Sequence, residues 1–175
     1  VAVSEELMRS TSGGLVASLG SLDIGLPPVA KWAQPEVRNQ IVPAVLRGEK
    51  IAALAITEPG GGSDVANLRT RAVRDGDDYV ISGQKMWISL ADHADYLWLA
   101  CRTDPDAAKH KGISILMLPM DAEGVSRTPI ANLADSNIWA VYMDKVRVPV
   151  ANRVGPENGG WRMITTQLNH ERVSL

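Results

Sequence analysis

At Ile51 the apolar pattern of the chain changes period, and this change constrains the fold more than any other feature. Before it, Val37, Ile41 and Val45 recur at four-residue spacing, one face of a helix. From Ile51 to about Arg153, short runs rich in Val, Ile, Trp and Tyr alternate with turn residues, the signature of strands. After Gly159-Gly160, apolar residues at Trp161, Ile164, Leu168 and Leu175 fall within about 60° of one another at 100° per residue, a second helical stripe. The order predicts an α+β chain: a helical N-terminal part over 1–50, a compact antiparallel β domain over 51–153, and a helix within 154–175. The β domain is a barrel or two packed sheets.

Within the first part, Glu5 to Arg9 and Leu15 to Leu22 are helix candidates, and Pro27-Pro28 interrupts or caps a segment. Pro35-Glu36 reads as a helix start, Pro43 as a kink or division, and Gly48 as the stop. In the β part, Arg71 to Arg74, Tyr79 to Ser82 and Lys85 to Ser89 read as a three-strand meander turning at Asp75–Asp78 and Gly83-Gln84. Asp95 to Arg102, Gly112 to Leu118, Val125 to Pro129, Ala140 to Met143 and Lys145 to Val148 are further strands, with a polar loop around 104–111.

Charge and cysteine usage remove several function classes. A net charge of −2 without a basic run gives no reason for nucleic acid or an anionic membrane as partner. The single cysteine, Cys101, excludes an internal disulfide framework or a cysteine zinc cage, and its apolar surroundings predict a buried strand thiol. His93, His110 and His170 lack metal-ligand spacing. No stretch is apolar and long enough for a transmembrane helix. The chain starts at Val1 and stops at Leu175 inside a helical pattern, so it reads as a piece of a longer polypeptide.

The stretch that points to chemistry is Thr57-Glu58-Pro59-Gly60-Gly61-Gly62-Ser63-Asp64, directly after the apolar run Ile51 to Ile56. Three glycines permit a tight turn and close approach of the backbone to another group. Thr57, Ser63 and Asp64 add short hydrogen-bonding side chains, a combination suited to a phosphate or an extended polar cofactor. In the last helix Arg172 falls within about 40° of Leu168, inside the apolar stripe, where a guanidinium needs a carboxylate or phosphate partner. The partner is either a carboxylate elsewhere in the protein or a ligand.

The loop motif, followed by Ser82-Gly83-Gln84-Lys85-Met86-Trp87-Ile88-Ser89, resembles the paired signatures of acyl-CoA dehydrogenases. Gly159-Gly160-Trp161 through Leu168-Asn169-His170-Glu171-Arg172-Val173 is similar to that family's first helix after its β domain. The resemblance is collinear over nearly the whole chain. It implies the end of an N-terminal helical domain, a whole middle β domain, and the opening of a C-terminal helical bundle.

The resemblance further implies FAD as cofactor and an acyl-CoA as substrate. Thr57 matches a position serving the polar edge of the flavin ring, with Leu54, Ala55 and Ile56 along the ring and its chain. Trp87 matches an aromatic lying against the ring, Ile88 follows it, and Ser89 matches a hydroxyl near flavin N5. Ser63, Asn169 and Arg172 match positions contacting the acyl-CoA. Family chemistry removes the α-proton with a carboxylate while a β-hydride passes to FAD. In some relatives that base occupies the position of Glu171, in others it lies beyond this chain; Glu171 is the candidate here, with an ion pair to Arg172 as the alternative. An electron-transfer flavoprotein is the implied acceptor, a homo- or hetero-oligomer (dimer or tetramer) the implied assembly, and bacterial cytoplasm or mitochondrial matrix the implied location. The 175-residue piece is expected to be inactive alone. An oxidase or monooxygenase on the same scaffold, a non-catalytic partner subunit, and an unrelated interaction module are the competing readings.

Overall fold

The computed structural model describes residues 5–7, 9, 25–133 and 138–174, with side chains as far as Asn169. The helix candidate Leu15 to Leu22 lies outside the described residues, and residues 5–7 are helical. Helical residues 25–32 (α1) contain Pro27 and Pro28, and α2 spans Pro35–Leu46. Pro35 occupies the first turn of α2, where no intrahelical donor is needed, and Glu36 lies at the positive end of the helix dipole. Val37, Ile41 and Val45 are buried, as their spacing predicts, and Gly48 terminates the helix at φ 72°. Pro43, expected to kink or divide the helix, does not divide it and is carried inside the continuous span. The acceptor deprived of its partner is the carbonyl of Asn39, an exposed residue that water can reach.

Eight strands follow: β1 Ala52–Ala55, β2 Arg71–Asp75, β3 Asp78–Ser89, β4 Tyr96–Arg102, β5 Ile113–Pro119, β6 Val125–Pro129, β7 Ile138–Pro149 and β8 Arg153–Val154. Their order is β6-β7-β3-β2-β4-β5-β8, with β1 added beside β4. Most pairings are antiparallel as expected, but β1–β4 and β2–β4 are parallel, so the sheet is mixed. Helix α3, Gly160–Ser174, closes the chain.

Strand β4 explains how one sheet supports two cores. Leu97, Leu99 and Cys101 face the interior of the β domain, with Tyr79, Ile81, Leu116, Val141 and Val146. Trp98 and Ala100 face the opposite way, against Val29, Val37, Ile41, Ile113, Ile115, Met163 and Ile164. The strand is therefore apolar on both faces, and its sequence is a continuous apolar run rather than an alternating one. The helices before and after the β domain share the second core.

Two turn expectations are corrected. Gly83-Gln84 is not a turn, because β3 runs through it unbroken and the meander is a single hairpin. Gly83 lies at a register shift between β3 and β7, with φ 156°, and a Cβ there would stand 2.6 Å from Thr70 Oγ1 and 2.7 Å from Thr70 Cα. The glycine serves close approach within a bulge. Likewise the expected strands Ala140 to Met143 and Lys145 to Val148 are one strand, β7, bent at the same shift where Lys145 takes φ 52°.

Candidate functional site

The two signature stretches meet at the end of β1. The Met86 amide donates to the Thr57 carbonyl at 2.9 Å, which places the loop after β1 against the middle of β3. A second register shift lies here, with Lys85 opposite Val141 but Ile88 opposite Trp139, so Met86 and Trp87 form a bulge. Trp87 adopts φ 63° and is 54% exposed, the opposite of how a large aromatic is normally housed. A bulky residue held left-handed on a bulge is a strained arrangement that a packed neighbourhood must impose. Its exposed indole follows by one residue the amide that holds half-buried Thr57.

A buried ion pair underlies this junction. Lys85 is fully buried, and its Nζ donates to the Ile56 carbonyl at 2.9 Å and to Glu58 Oε1 at 2.8 Å. Glu58 is 8% exposed and accepts from the Thr70 amide at 2.9 Å and the Arg69 amide at 2.6 Å. Burial raises the Glu58 pKa, but the Lys85 charge and hydrogen bond, with the two amides, outweigh it and hold the carboxyl below the usual range. Burial draws the Lys85 pKa below that of an ordinary lysine, and Glu58 opposes this. Neither residue carries a role in the motif resemblance, although the sequence holds a signal: Tyr79, Ile81, Gly83 and Lys85 alternate on one face of β3, and Tyr79 and Ile81 point inward.

The glycine loop is held at its other end by a different device. Asp64 pairs with Lys109 at 2.6 Å. Arg102 donates to the carbonyls of Ala66, Leu68, Lys109 and Lys111, tying the short 3-10 turn Val65–Asn67 to the polar loop around 104–111. Gly60, Gly61 and Gly62 all have ordinary φ values, and a Cβ at Gly60 or Gly62 would meet nothing within 4 Å. Gly60 and Gly62 are therefore not demanded by backbone conformation or internal packing, whereas a Cβ at Gly61 would press on the Asp64 carbonyl at 3.2 Å. Gly60 and Gly62 leave a clear surface beside the junction, compatible with close approach of a second molecule.

The remaining predicted positions divide by accessibility. Ser63, Ser89 and Asn169 are exposed, and Leu54 is half-buried. Ala55 and Ile88 are buried in the β core and Ile56 in the helix-facing core, so their side chains are committed to packing. Glu171 and Arg172 lie on α3, and their side chains are outside the described residues. Cys101 is buried as expected, its thiol pushed up to about 12 by burial. Among the described residues no cluster of metal-ligating side chains occurs, and no helix is long and apolar enough to cross a membrane.

Comparison with known proteins agrees with this geometry. The family "Acyl-CoA dehydrogenase, middle domain" matches residues 53–146. Acyl-CoA dehydrogenase FadE26 of Mycobacterium tuberculosis is 52% identical over 152 residues, covering 85% of this chain and 38% of its own length. FadE29 of the same bacterium is 56% identical over 140 residues, covering 79% of this chain and 36% of its own length. Among solved structures, the Tcur3481-Tcur3483 steroid ACAD is 51% identical with a TM-score of 0.84, covering 87% of this chain and 40% of that one. The ChsE4-ChsE5 complex from Mycobacterium tuberculosis is 50% identical with a TM-score of 0.83, covering 90% of this chain and 41% of that one. The chain thus spans about two fifths of the length of the relatives it matches. Family match, fold and the paired signatures agree: this chain belongs to the acyl-CoA dehydrogenase family.

Proposed function

We propose that this chain contributes the flavin-facing and thioester-facing wall of an acyl-CoA dehydrogenase. The observation that carries the reading is the exposed, left-handed Trp87 on a bulge hydrogen-bonded to Thr57. An open indole face beside a threonine suits a flat, polar-edged cofactor, and the family's cofactor is FAD. Bound there, FAD would supply the acceptor for a hydride from the acyl β-carbon. Trp87 would offer the aromatic face for the ring, Thr57 and Ser89 the hydrogen-bonding groups for its polar edge, and the backbone of Leu54 to Ile56 and Ile88 would support them. Ser63, Asn169 and Arg172 orient the acyl-CoA, and Glu171 takes the α-proton.

The identity to a steroid ACAD supports an acyl-CoA with a steroid acyl group as substrate. The similarity to a two-component ACAD supports a heteromeric assembly, in which a second polypeptide completes the site. In this assignment residues 1–50 belong to a helical domain, 51–153 form the middle domain, and 154–175 open the C-terminal domain. An electron-transfer flavoprotein receives the electrons.

The test uses the full-length protein, co-purified with its partner subunit where it has one. Anaerobic mixing with a steroid acyl-CoA is expected to bleach the flavin absorbance, and reoxidation by an electron-transfer flavoprotein is expected to outpace reoxidation by air. Rapid reoxidation by air with peroxide release would instead identify an oxidase. The variant Glu171→Gln is expected to keep the flavin and lose bleaching by about 100-fold or more, the scale of general-base removal. Full bleaching in that variant would move the base to another residue.

A further inference from the structure

The Lys85–Glu58 pair joins three separate stretches of chain: the loop after β1, the approach to β2 at Arg69 and Thr70, and β3 just before its bulge. Every polar contact of the pair is made within the protein, and Lys85 is wholly buried. A pair of this kind is a poor stabiliser by itself, because desolvating both charges offsets most of their attraction. An apolar pair of similar volume would serve the core as well. What an apolar pair lacks is direction. The Lys85 ammonium fixes the carbonyl of Ile56 on one side of Thr57 and the carboxylate of Glu58 on the other, at 2.9 and 2.8 Å.

On β3, Lys85 immediately precedes Met86, which holds the Thr57 carbonyl, and stands two residues before Trp87. Gly83 and Thr70 close the same junction from below, in contact so tight that no Cβ fits. Thr57 and the left-handed Trp87 are therefore clamped to one another through a shared buried charge. From this geometry we infer that Lys85 and Glu58 are positioning residues for the cofactor face: they fix Trp87 in its strained, exposed conformation and set its height relative to Thr57. The inference rests on the flavin reading above for its purpose, but the positioning itself is a property of the protein without cofactor.

The experiment separates the two. Full-length protein labelled with 5-fluorotryptophan is stripped of cofactor and followed by fluorine NMR, the Trp87 resonance being the one lost in Trp87→Phe. Lys85→Met is expected to shift or split that resonance in the apoprotein, and to weaken FAD retention by about tenfold or more, the scale of a supporting residue that lets a binding group drift. Lys85→Arg, which keeps a buried cation and donors, is expected to recover part of both. An unmoved Trp87 resonance together with unchanged FAD affinity in a folded Lys85→Met protein would overturn the inference. Should Lys85→Met fail to fold, Glu58→Asp, which keeps the charge but shortens its reach, must move the Trp87 resonance, or the pair is only a fold element. If the wild type binds no FAD, the flavin reading falls, while the Trp87 resonance still decides the positioning.

Discussion

Met86 donates its amide to the carbonyl of Thr57 at 2.9 Å, and this one backbone bond joins the two signature stretches that the sequence keeps almost thirty residues apart. Around it the chain concentrates a bulge, a left-handed tryptophan and a buried ion pair, the first two locally strained and the third costly to desolvate. Concentration of strain where the chain presents an open aromatic face follows a general pattern for binding sites.

The ion pair makes the junction sensitive to acid. The Glu58 pKa is depressed in the folded state, so its contribution is present above the unfolded value near 4.5 and is lost as pH falls through the folded value. Glu58→Gln leaves Lys85 buried without a counter-charge, at a cost of about 3 kcal/mol or more. In urea titrations the gap between wild type and Glu58→Gln is therefore expected to be full at pH 6 and to narrow below the ordinary glutamate pKa. A gap that stays constant down to pH 3 would place the stabilisation elsewhere.

The glycines are expected to separate into two classes. Gly83→Ala drives a Cβ to 2.6 Å from Thr70 Oγ1 and 2.7 Å from its Cα, against backbone that cannot retreat, at a backbone φ of 156°. Overpacking of this kind costs about 1–3 kcal/mol. Gly62→Ala meets nothing within 4 Å, and its effect on folding stability is expected to stay within about 0.5 kcal/mol. Calorimetric melting of both variants checks the contrast. A loss of acyl-CoA or FAD affinity in Gly62→Ala without a stability change would identify the clear surface as a ligand surface.

Much of this architecture is legible in the sequence wherever one element decides its own fate. The four-residue stripe Val37, Ile41, Val45 is buried as spaced, and the strand Val125 to Pro129 occurs with those bounds. Legibility fails where pairing with a distant strand overrides a local turn signal. Gly83-Gln84 looks like a turn and Asp144 like a break between strands, yet Gly83 and Gln84 pair with Met143 and Tyr142, and Ser82 faces Asp144 and Lys145 in a bulge, so two pairs of expected strands become two long ones. The same holds for the site. Thr57 is half-buried and Trp87 exposed, and the ion pair next to them in the chain links Lys85 to Glu58 across 27 positions and leaves no local trace beyond a lysine on an inward face.

Cys101 gives a test at the other end of the pH scale. Burial raises its pKa from 9.0 to about 12. A raised pKa in the folded state means stability present below the unfolded value and lost as pH rises between the two. The protein is expected to lose stability progressively above pH 9, with Cys101→Ala showing a smaller slope over the same range. Thiol titration at pH 8 should leave Cys101 unmodified in the native protein and modify it on unfolding. Modification of this residue at the rate of a free thiol in the folded protein would contradict its burial.

Trp87 offers the sharpest division between stability and function. Its φ of 63° costs a non-glycine residue about 1–2 kcal/mol, and a residue 54% exposed recovers only part of this by burial. Glycine adopts the same conformation without strain, although it raises the entropy of the unfolded chain. Trp87→Gly is therefore expected to leave the urea midpoint unchanged or shift it upward by the equivalent of about 1 kcal/mol. Retention of FAD by the full-length variant should fall sharply, since the aromatic face is gone. Trp87→Phe, which keeps the strain and part of the face, is expected to lie between in affinity and no higher than wild type in stability. A Trp87→Gly protein that melts far below wild type would mean that the indole is a packing element, and its exposure incidental.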